Sequence, residues 1–169
     1  RQAQPDARVG LTARGRELAA IRRGAFKALI ESDPRAALAN AVPRSLRSQL
    51  PAEVVAELEV PVDTFATYEV AVAFGGKQSR VERWVVAGGD RYKASVYGAR
   101  LRAMCQNRFS VHGIALDGVV AVAEEPYRVL EYPERVAQGV PEAGITVAVG
   151  DGLRTFESQA ELTEWAAQV

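Results

Sequence analysis

The chain has very few of the residues that most often ligate metals or act as nucleophiles. Its 169 residues include one cysteine, Cys105, and one histidine, His112. A single cysteine excludes an internal disulfide, and a structural zinc site needs about four Cys or His ligands. We therefore predict neither a disulfide framework nor a metal site within the chain, and we expect no cofactor.

Sequence signatures of the common enzyme classes are also missing. There is no G-x-S-x-G nucleophile elbow, no glycine-rich phosphate loop and no calcium-loop spacing. A Ser-His-Asp triad would have to use His112 as its base. The sequence leaves open a Cys105–His112 dyad of a hydrolase, in which neighbouring arginines would stabilise the thiolate. The favoured interpretation is that His112 lies in a buried wall without a metal and that the chain is not an enzyme.

Long hydrophobic runs are absent, and so is an excess of one charge. The apolar run "GVVAVA" is far shorter than the roughly 20 residues that a membrane span requires, so we predict no span. The 21 basic and 21 acidic residues are unevenly distributed. Residues 1–50 hold ten Lys or Arg and four Asp or Glu, and the remainder hold eleven and seventeen. Opposite signs favour docking between the two parts over a nucleic-acid surface.

Hydrophobic periodicity predicts helices in the first third of the chain. Residues 1–12 are polar and indicate a flexible lead-in, and residues 13–169 are expected to form one domain. Within the helical part, 13–59, the first helix has apolar residues at helical spacing, which predicts a buried stripe. Its members are Leu18, Ile21, Ala25, Leu29 and Ile30. Three further short helices are each opened by a proline.

The period then changes from 3.6 to 2, which predicts a β-sheet part over residues 64–132. Asp117 and Gly118 stand between two apolar runs and are typical of a two-residue type I′ hairpin. Residues 145–169 indicate a small hairpin and a terminal helix capped by Ser158. The predicted fold is α+β: an N-terminal cluster of short helices packed on a curved antiparallel sheet or small β-barrel, with a C-terminal helix.

Three blocks carry a resemblance to a known class of module: "SDPRAALANAVPRSLRSQLPAEVVAELEVPVDTFATYEV", "YKASVYGARL" and "VHGIALDGVVAVAEEPYRVL". Between about Phe26 and Leu130 the chain resembles N-terminal, non-catalytic modules of large, multidomain, often exported bacterial proteins. The resemblance implies a prodomain-like or spacer unit that folds, shields or positions a neighbouring domain. The partner it implies is the downstream domain of the same polypeptide. It also implies export, with Arg1 near a signal-cleavage point.

Two further interpretations stay open. The segment "RAMCQNRF" is similar to the cysteine-switch segments of metalloprotease prodomains, in which a lone thiolate occupies the zinc of the following domain, although Gln106 replaces the expected glycine. The alternative to a spacer module is an OB-like barrel that stacks a nucleic acid or a glycan on exposed arginines and aromatic residues. Its candidate binding residues are Arg83, Trp84, Arg91 and Tyr97. The acidic bias of the strand part makes nucleic acid the less favoured ligand.

Overall fold

The computed structural model describes residues 5–75, 78–101 and 105–168, in which the chain forms six helices and eight strands. The helices are α1 (Pro5–Ser32), α2 (Pro34–Ala39), α3 (Arg44–Arg47), α4 (Ala52–Val55), α5 (Tyr132–Ala137) and α6 (Gln159–Ala166). The strands are β1 (Val60–Gly75), β2 (Gln78–Ala87), β3 (Asp90–Val96), β4 (Gln106–Leu116), β5 (Val119–Val122), β6 (Arg128–Val129), β7 (Ile145–Val149) and β8 (Gly152–Phe156).

Five strands close into a barrel in the order β1-β2-β3-β5-β4, with β4 pairing back onto β1. Every pair is antiparallel except β3 with β5, which is parallel. This strand order, with its parallel β3–β5 pair, is that of the OB fold. The remaining strands form a separate sheet in the order β6-β7-β8. The predicted α+β fold with a small barrel and a C-terminal helix is thus confirmed.

The hairpin at Asp117 and Gly118 has the predicted register. Both residues have positive φ, 47° and 79°, as a type I′ turn requires. Leu116 then pairs with Val119, and the pairing continues along β4 and β5. All four residues of β5 are buried, because one face of the strand lies inside the barrel and the other is covered by helices. The prediction that the hairpin is buried on both faces is confirmed.

Helices α1 and α2 cover the outside of the barrel. Phe26 and Ile30 of α1 pack with Ala37 of α2 against the outer residues of the β4–β5 hairpin, among them Ile114 and Ala121. The barrel interior is a second apolar cluster, in which Tyr68 packs edge-on against Phe109. Side chains fill the interior of the barrel, so its stability depends on packing inside and outside the same strands.

Helix α1 differs from its prediction at its start and in its buried face. It begins at Pro5 rather than at residue 13, so residues 5–12, which were expected to belong to a flexible lead-in, are helical. A proline is well tolerated in the first turn of a helix, where its missing N–H costs nothing. The predicted stripe is also partly wrong, because Leu18 and Ile21 are exposed. The buried face, which includes Ala19, lies roughly a third of a turn away.

A short strand and a helix lie between the barrel and the second hairpin. Arg128 and Val129 of β6 pair with β7, and α5 follows them. Glu131 and Glu134 form a reciprocal capping box at the start of α5. An acidic N-cap is favourable there because it accepts unpaired N–H groups at the positive end of the helix. The terminal helix α6 is capped by Ser158, as predicted.

The described helices include none that is both long enough and apolar enough to cross a membrane. This agrees with the prediction from the short apolar runs of the sequence. The longest helix, α1, carries charged side chains along its length.

The position of the buried face of α1 predicts a contrast between two substitutions. Ile30 is fully buried, so Ile30→Ala should lower the free energy of unfolding by about 2–5 kcal/mol. Leu18 is half exposed, so Leu18→Ala should change it by less than about 1 kcal/mol. Urea unfolding followed by circular dichroism measures both values. A larger loss for Leu18→Ala would mean that α1 packs with the face first predicted from the sequence.

Candidate functional site

His112 lies on the outer face of β4, in the same row of side chains as Ser110 and Ile114. The prediction that it is buried is confirmed, since only 2% of the residue is accessible to solvent. Its surroundings are nevertheless polar, because both ring nitrogens have hydrogen-bonding partners. The candidate site is therefore the group of polar side chains around this imidazole.

The structure brings Ser110, His112 and Asp63 together in the arrangement of a Ser-His-Asp triad. The Ser110 Oγ atom lies 2.9 Å from His112 Nε2, and His112 Nδ1 lies 2.8 Å from Asp63 Oδ1. His112 is the base that the sequence predicts for such a triad, whereas Ser110 and Asp63 are not among the residues predicted from the sequence. Ser110 could have been found, because residues two apart on a strand share a face. Asp63 could not, because its pairing opposite His112 depends on the β1–β4 register.

The serine hydroxyl of this group is enclosed. The Gly150 N–H donates to Ser110 Oγ at 2.7 Å, and the Pro126 carbonyl oxygen lies 3.2 Å from His112 Nε2. Ser110 itself is 7% exposed. A nucleophile needs an approach path for the atom that it attacks. These contacts place main chain from outside the barrel against the hydroxyl and the imidazole, although Ser110 also lines a pocket at the start of β4. The arrangement instead ties the barrel to the segments that precede and follow β7.

Asp63 is the most heavily shared side chain of the site. Its carboxylate accepts hydrogen bonds from the guanidinium groups of Arg44 and Arg128 as well as from His112. Glu134 forms ion pairs with both arginines, which closes a network of two cations and two anions beside the imidazole. Burial by itself raises the pKa of Asp63, but the His112 hydrogen bond and the positive charges of Arg128 and Arg44 outweigh it, so the pKa is lowered.

The network forms one wall of a pocket of about 520 Å³, which we call the His112 pocket. The rest of its lining is mainly apolar and includes Val42, Pro61, Ile114 and Tyr127. The two arginines in the wall already have carboxylate partners, so the pocket presents little uncompensated positive charge. Pairing of this kind is typical of a buried structural network as well as of a binding site.

Cys105 and His112 do not form a dyad. Cys105 directly precedes β4, and the continuous strand places roughly 20 Å of extended chain between it and His112. The exposed thiol instead contacts β1, where Cys105 Sγ accepts the Val70 N–H at 3.2 Å. The Cys105–His112 hydrolase arrangement is therefore wrong on geometry. The cysteine-switch role of Cys105 stays a prediction, since it concerns a following domain.

The four residues of the predicted ligand surface do not share one surface. Arg83 is on the same strand face as Val85, and this face lies inside the barrel. Burial raises the pKa of Tyr68, and the positive charge of Arg83 and its hydrogen bond oppose that rise. Trp84 points outward, as neighbouring residues on a strand must. Tyr97 lines the His112 pocket, where burial raises its pKa.

Trp84 and Arg91 do meet, but each already has an intramolecular partner. The Arg91 guanidinium lies 4.0 Å from the centre of the Trp84 ring and forms an ion pair of 3.0 Å with Glu69. A base or a sugar could stack on this indole face only by displacing the arginine. The predicted platform of Arg83, Trp84, Arg91 and Tyr97 is thus not present as one surface.

The Asp63 network predicts a specific dependence of stability on acid. Because the folded-state pKa of Asp63 is lowered, its ionised form contributes stability that is complete above about pH 5 and is lost as the pH falls. Asp63→Asn should lower the free energy of unfolding by about 3 kcal/mol at pH 7. The difference from the wild-type protein should shrink towards pH 2 in urea unfolding at each pH. An exposed control, Asp90→Asn, should show neither effect, and a gap for Asp63→Asn that stays constant with pH would contradict the role of its charge.

Comparisons with known proteins leave the site to be interpreted from its own chemistry. No protein-family model matches the chain, and neither a curated protein nor a solved structure matches it. The OB-type strand order does not by itself define a function, because one fold supports many unrelated activities.

Proposed function

We propose that the chain is a non-catalytic module that packs against a neighbouring domain of a longer polypeptide and positions or shields it. The observation that carries the proposal is the outer face of α1, which we define as Leu11, Leu18, Ile21 and Ala25. Its three large side chains are 68%, 51% and 67% exposed, in that order. They lie along one side of the helix at positions that a packed helix would bury.

The buried face of α1, roughly a third of a turn from the outer face, is attached to the domain, so the outer face is presented on a fixed element. Arg22 donates to the buried carboxylate of Glu59 at 2.6 Å. Arg23 makes two hydrogen bonds to Asp117 at the tip of the β4–β5 hairpin, at 3.0 Å and 2.5 Å. A helix fixed in this way needs little further ordering when a partner binds, which reduces the entropic cost of association.

The chemistry of the outer face indicates the kind of surface that would cover it. Leu11, Leu18, Ile21 and Ala25 are apolar, and Arg14, which lies among them one turn from Leu11 and one turn from Leu18, pairs with Glu17 at 2.6 Å. An added Cβ at Gly10 or Gly24 would meet nothing within 4 Å, so small residues leave room beside the large ones. An apolar surface of the neighbouring domain would fit here, since contiguous exposed apolar area favours protein contacts.

The enclosed Ser110 hydroxyl supports the non-catalytic part of the proposal. Its contacts with Gly150 and His112 hold two parts of the fold together. The prodomain-like role and export from the cell stay predictions from the resemblance.

We expect three serine substitutions on the outer face of α1 to remove the contact without unfolding the chain. Leu11→Ser, Leu18→Ser and Ile21→Ser together should change the free energy of unfolding of the isolated chain by less than about 1.5 kcal/mol, because each site is exposed. In the polypeptide that includes the neighbouring domain, we expect the contact to slow amide hydrogen exchange in α1. The triple variant should raise that exchange rate to the value measured in the isolated chain. The matched control is Ala13→Ser with Ala20→Ser, two exposed positions outside this face.

Equal exchange of α1 in the wild-type polypeptide and the isolated chain would show that its outer face contacts nothing there. An increase in exchange caused by the control pair would show that helix propensity, not the contact, explains the result.

A fluorophosphonate probe, which labels activated serines, tests the hypothesis that the chain is not a serine hydrolase. We expect no labelling of Ser110 in the folded chain, because its hydroxyl is enclosed. Mass spectrometry after digestion locates any label. Labelling of Ser110 that is lost in both His112→Ala and Asp63→Asn would overturn the proposal in favour of a hydrolase.

A further inference from the structure

A second pocket, of about 490 Å³, lies beside the first residues of β4 and has a lining with a net positive charge. We call it the Arg100 pocket. Its lining residues are Phe65, Arg100, Gln106, Asn107, Arg108, Phe109, Ser110, Pro126 and Val149. Among these described residues there are two arginines, two side-chain amides and no carboxylate. The lining therefore offers hydrogen-bond donors and positive charge together with apolar surface.

Arg100 is a half-buried cation held mainly by neutral groups. Its guanidinium donates to the Glu124 carbonyl at 3.2 Å and to the Ser110 carbonyl at 2.7 Å, and it lies 5.7 Å from the Phe109 ring centre. Burial lowers the pKa of Arg100, an effect that the charge of Glu125 opposes. Within the part of the chain that the structure describes, no carboxylate forms an ion pair with it. Since a guanidinium has five N–H donors, donors remain for a ligand.

Arg108 brings a second cation to the same pocket from an unusual backbone position. Its φ is 51°, in the left-handed region that costs energy for a residue with a side chain. The β1–β4 register shifts here between Ala66 and Tyr68, which leaves an extra residue on β4 and forms a bulge. Bulges redirect side chains and are frequent beside functional sites. The Arg108 guanidinium lies 5.2 Å from the Phe65 ring centre and forms no ion pair with any described residue.

The Arg100 pocket differs from the His112 pocket in whether carboxylates compensate the charge of its arginines. In the His112 pocket, Arg44 and Arg128 are both paired with Asp63 and Glu134, so their charge is already used. In the Arg100 pocket the positive charge has no carboxylate in the described lining. A partly buried site strengthens the attraction of an opposite charge, because the local dielectric constant is lower than that of water.

The geometry points to the Arg100 pocket as a binding site for a small organic oxyanion, a molecule with a phosphate or carboxylate group. Arg100 and Arg108 hold the oxyanion, and Gln106 and Asn107 donate further hydrogen bonds. Phe65 and the neighbouring apolar lining contact the carbon skeleton. The volume is in the range of about 300–1,000 Å³ that is usual for small-molecule sites. This site is separate from the outer face of α1, and its test does not depend on the proposed function.

The test measures the binding of two probes, inorganic phosphate and acetate, at constant ionic strength. We expect saturable chemical-shift changes of the Arg100 and Arg108 side-chain N–H groups and of the Gln106 and Asn107 amides. Arg108→Gln should weaken the tighter-binding probe by about tenfold or more, as the loss of a charged hydrogen bond predicts. Its fold should be retained, because Arg108 is exposed. The matched control is Arg14→Gln, an exposed arginine on α1, which should bind as the wild-type protein does.

The relative affinity of the two probes identifies the class of oxyanion that the pocket takes. Equal affinity of Arg108→Gln and the wild-type protein would overturn the proposal, and so would an equal loss in Arg14→Gln, which would indicate attraction by overall charge. A single-stranded oligonucleotide that binds more tightly than either probe and loses affinity in Arg108→Gln would also overturn it, because the occupant would then be a nucleic-acid backbone. A hydrogen-exchange result on α1 leaves this site unaffected, so the two proposals fail separately.

Discussion

The carboxylate of Asp63 joins parts of the chain that are far apart in sequence. It lies on β1 and accepts hydrogen bonds from His112 on β4, from Arg44 in α3 and from Arg128 in β6. A buried carboxylate is stable only when opposite charges and donors surround it, so these segments must come together when the barrel folds. The position of the second sheet against the barrel depends on that requirement.

Helix α1 is held to the barrel in a different way, by apolar burial with ion pairs at the edges. Phe26 and Ile30 supply the packing, whereas Arg22 and Arg23 pair with carboxylates of the loop before β1 and of the β4–β5 turn. The Arg23–Asp117 pair is partly exposed and contributes roughly 0–1 kcal/mol. The Arg22–Glu59 pair differs, because the Glu59 carboxylate is buried and loss of the arginine would leave a buried charge without its cation. The consequence is an attached helix that exposes Leu11, Leu18 and Ile21 to solvent.

The two pockets both contain arginines, but these arginines have different neighbours. Arginines in the His112 pocket neutralise carboxylates of the fold, and the histidine there is part of a hydrogen-bonded joint. Arg100 and Arg108 have neutral neighbours in the described lining, and the bulge at Arg108 directs that side chain outward. What distinguishes a structural network from a ligand site here is whether the charge is already compensated. The exposed face of α1 and the Arg100 pocket are the two observations on which the proposed binding roles rest.

Local patterns in the sequence determined the elements whose conformation depends on neighbouring residues. The hairpin at Asp117 and Gly118 follows from the positive φ of its turn, and the cap of α6 follows from Ser158, so both are confirmed. The buried face of α1 and the partners of His112 were decided by tertiary structure. Leu18 and Ile30 are equally apolar, and only the position of the barrel selects which one it covers. In the same way, Asp63 and His112 are 49 residues apart in sequence and meet only because β1 pairs with β4. A local sequence pattern cannot predict such a contact.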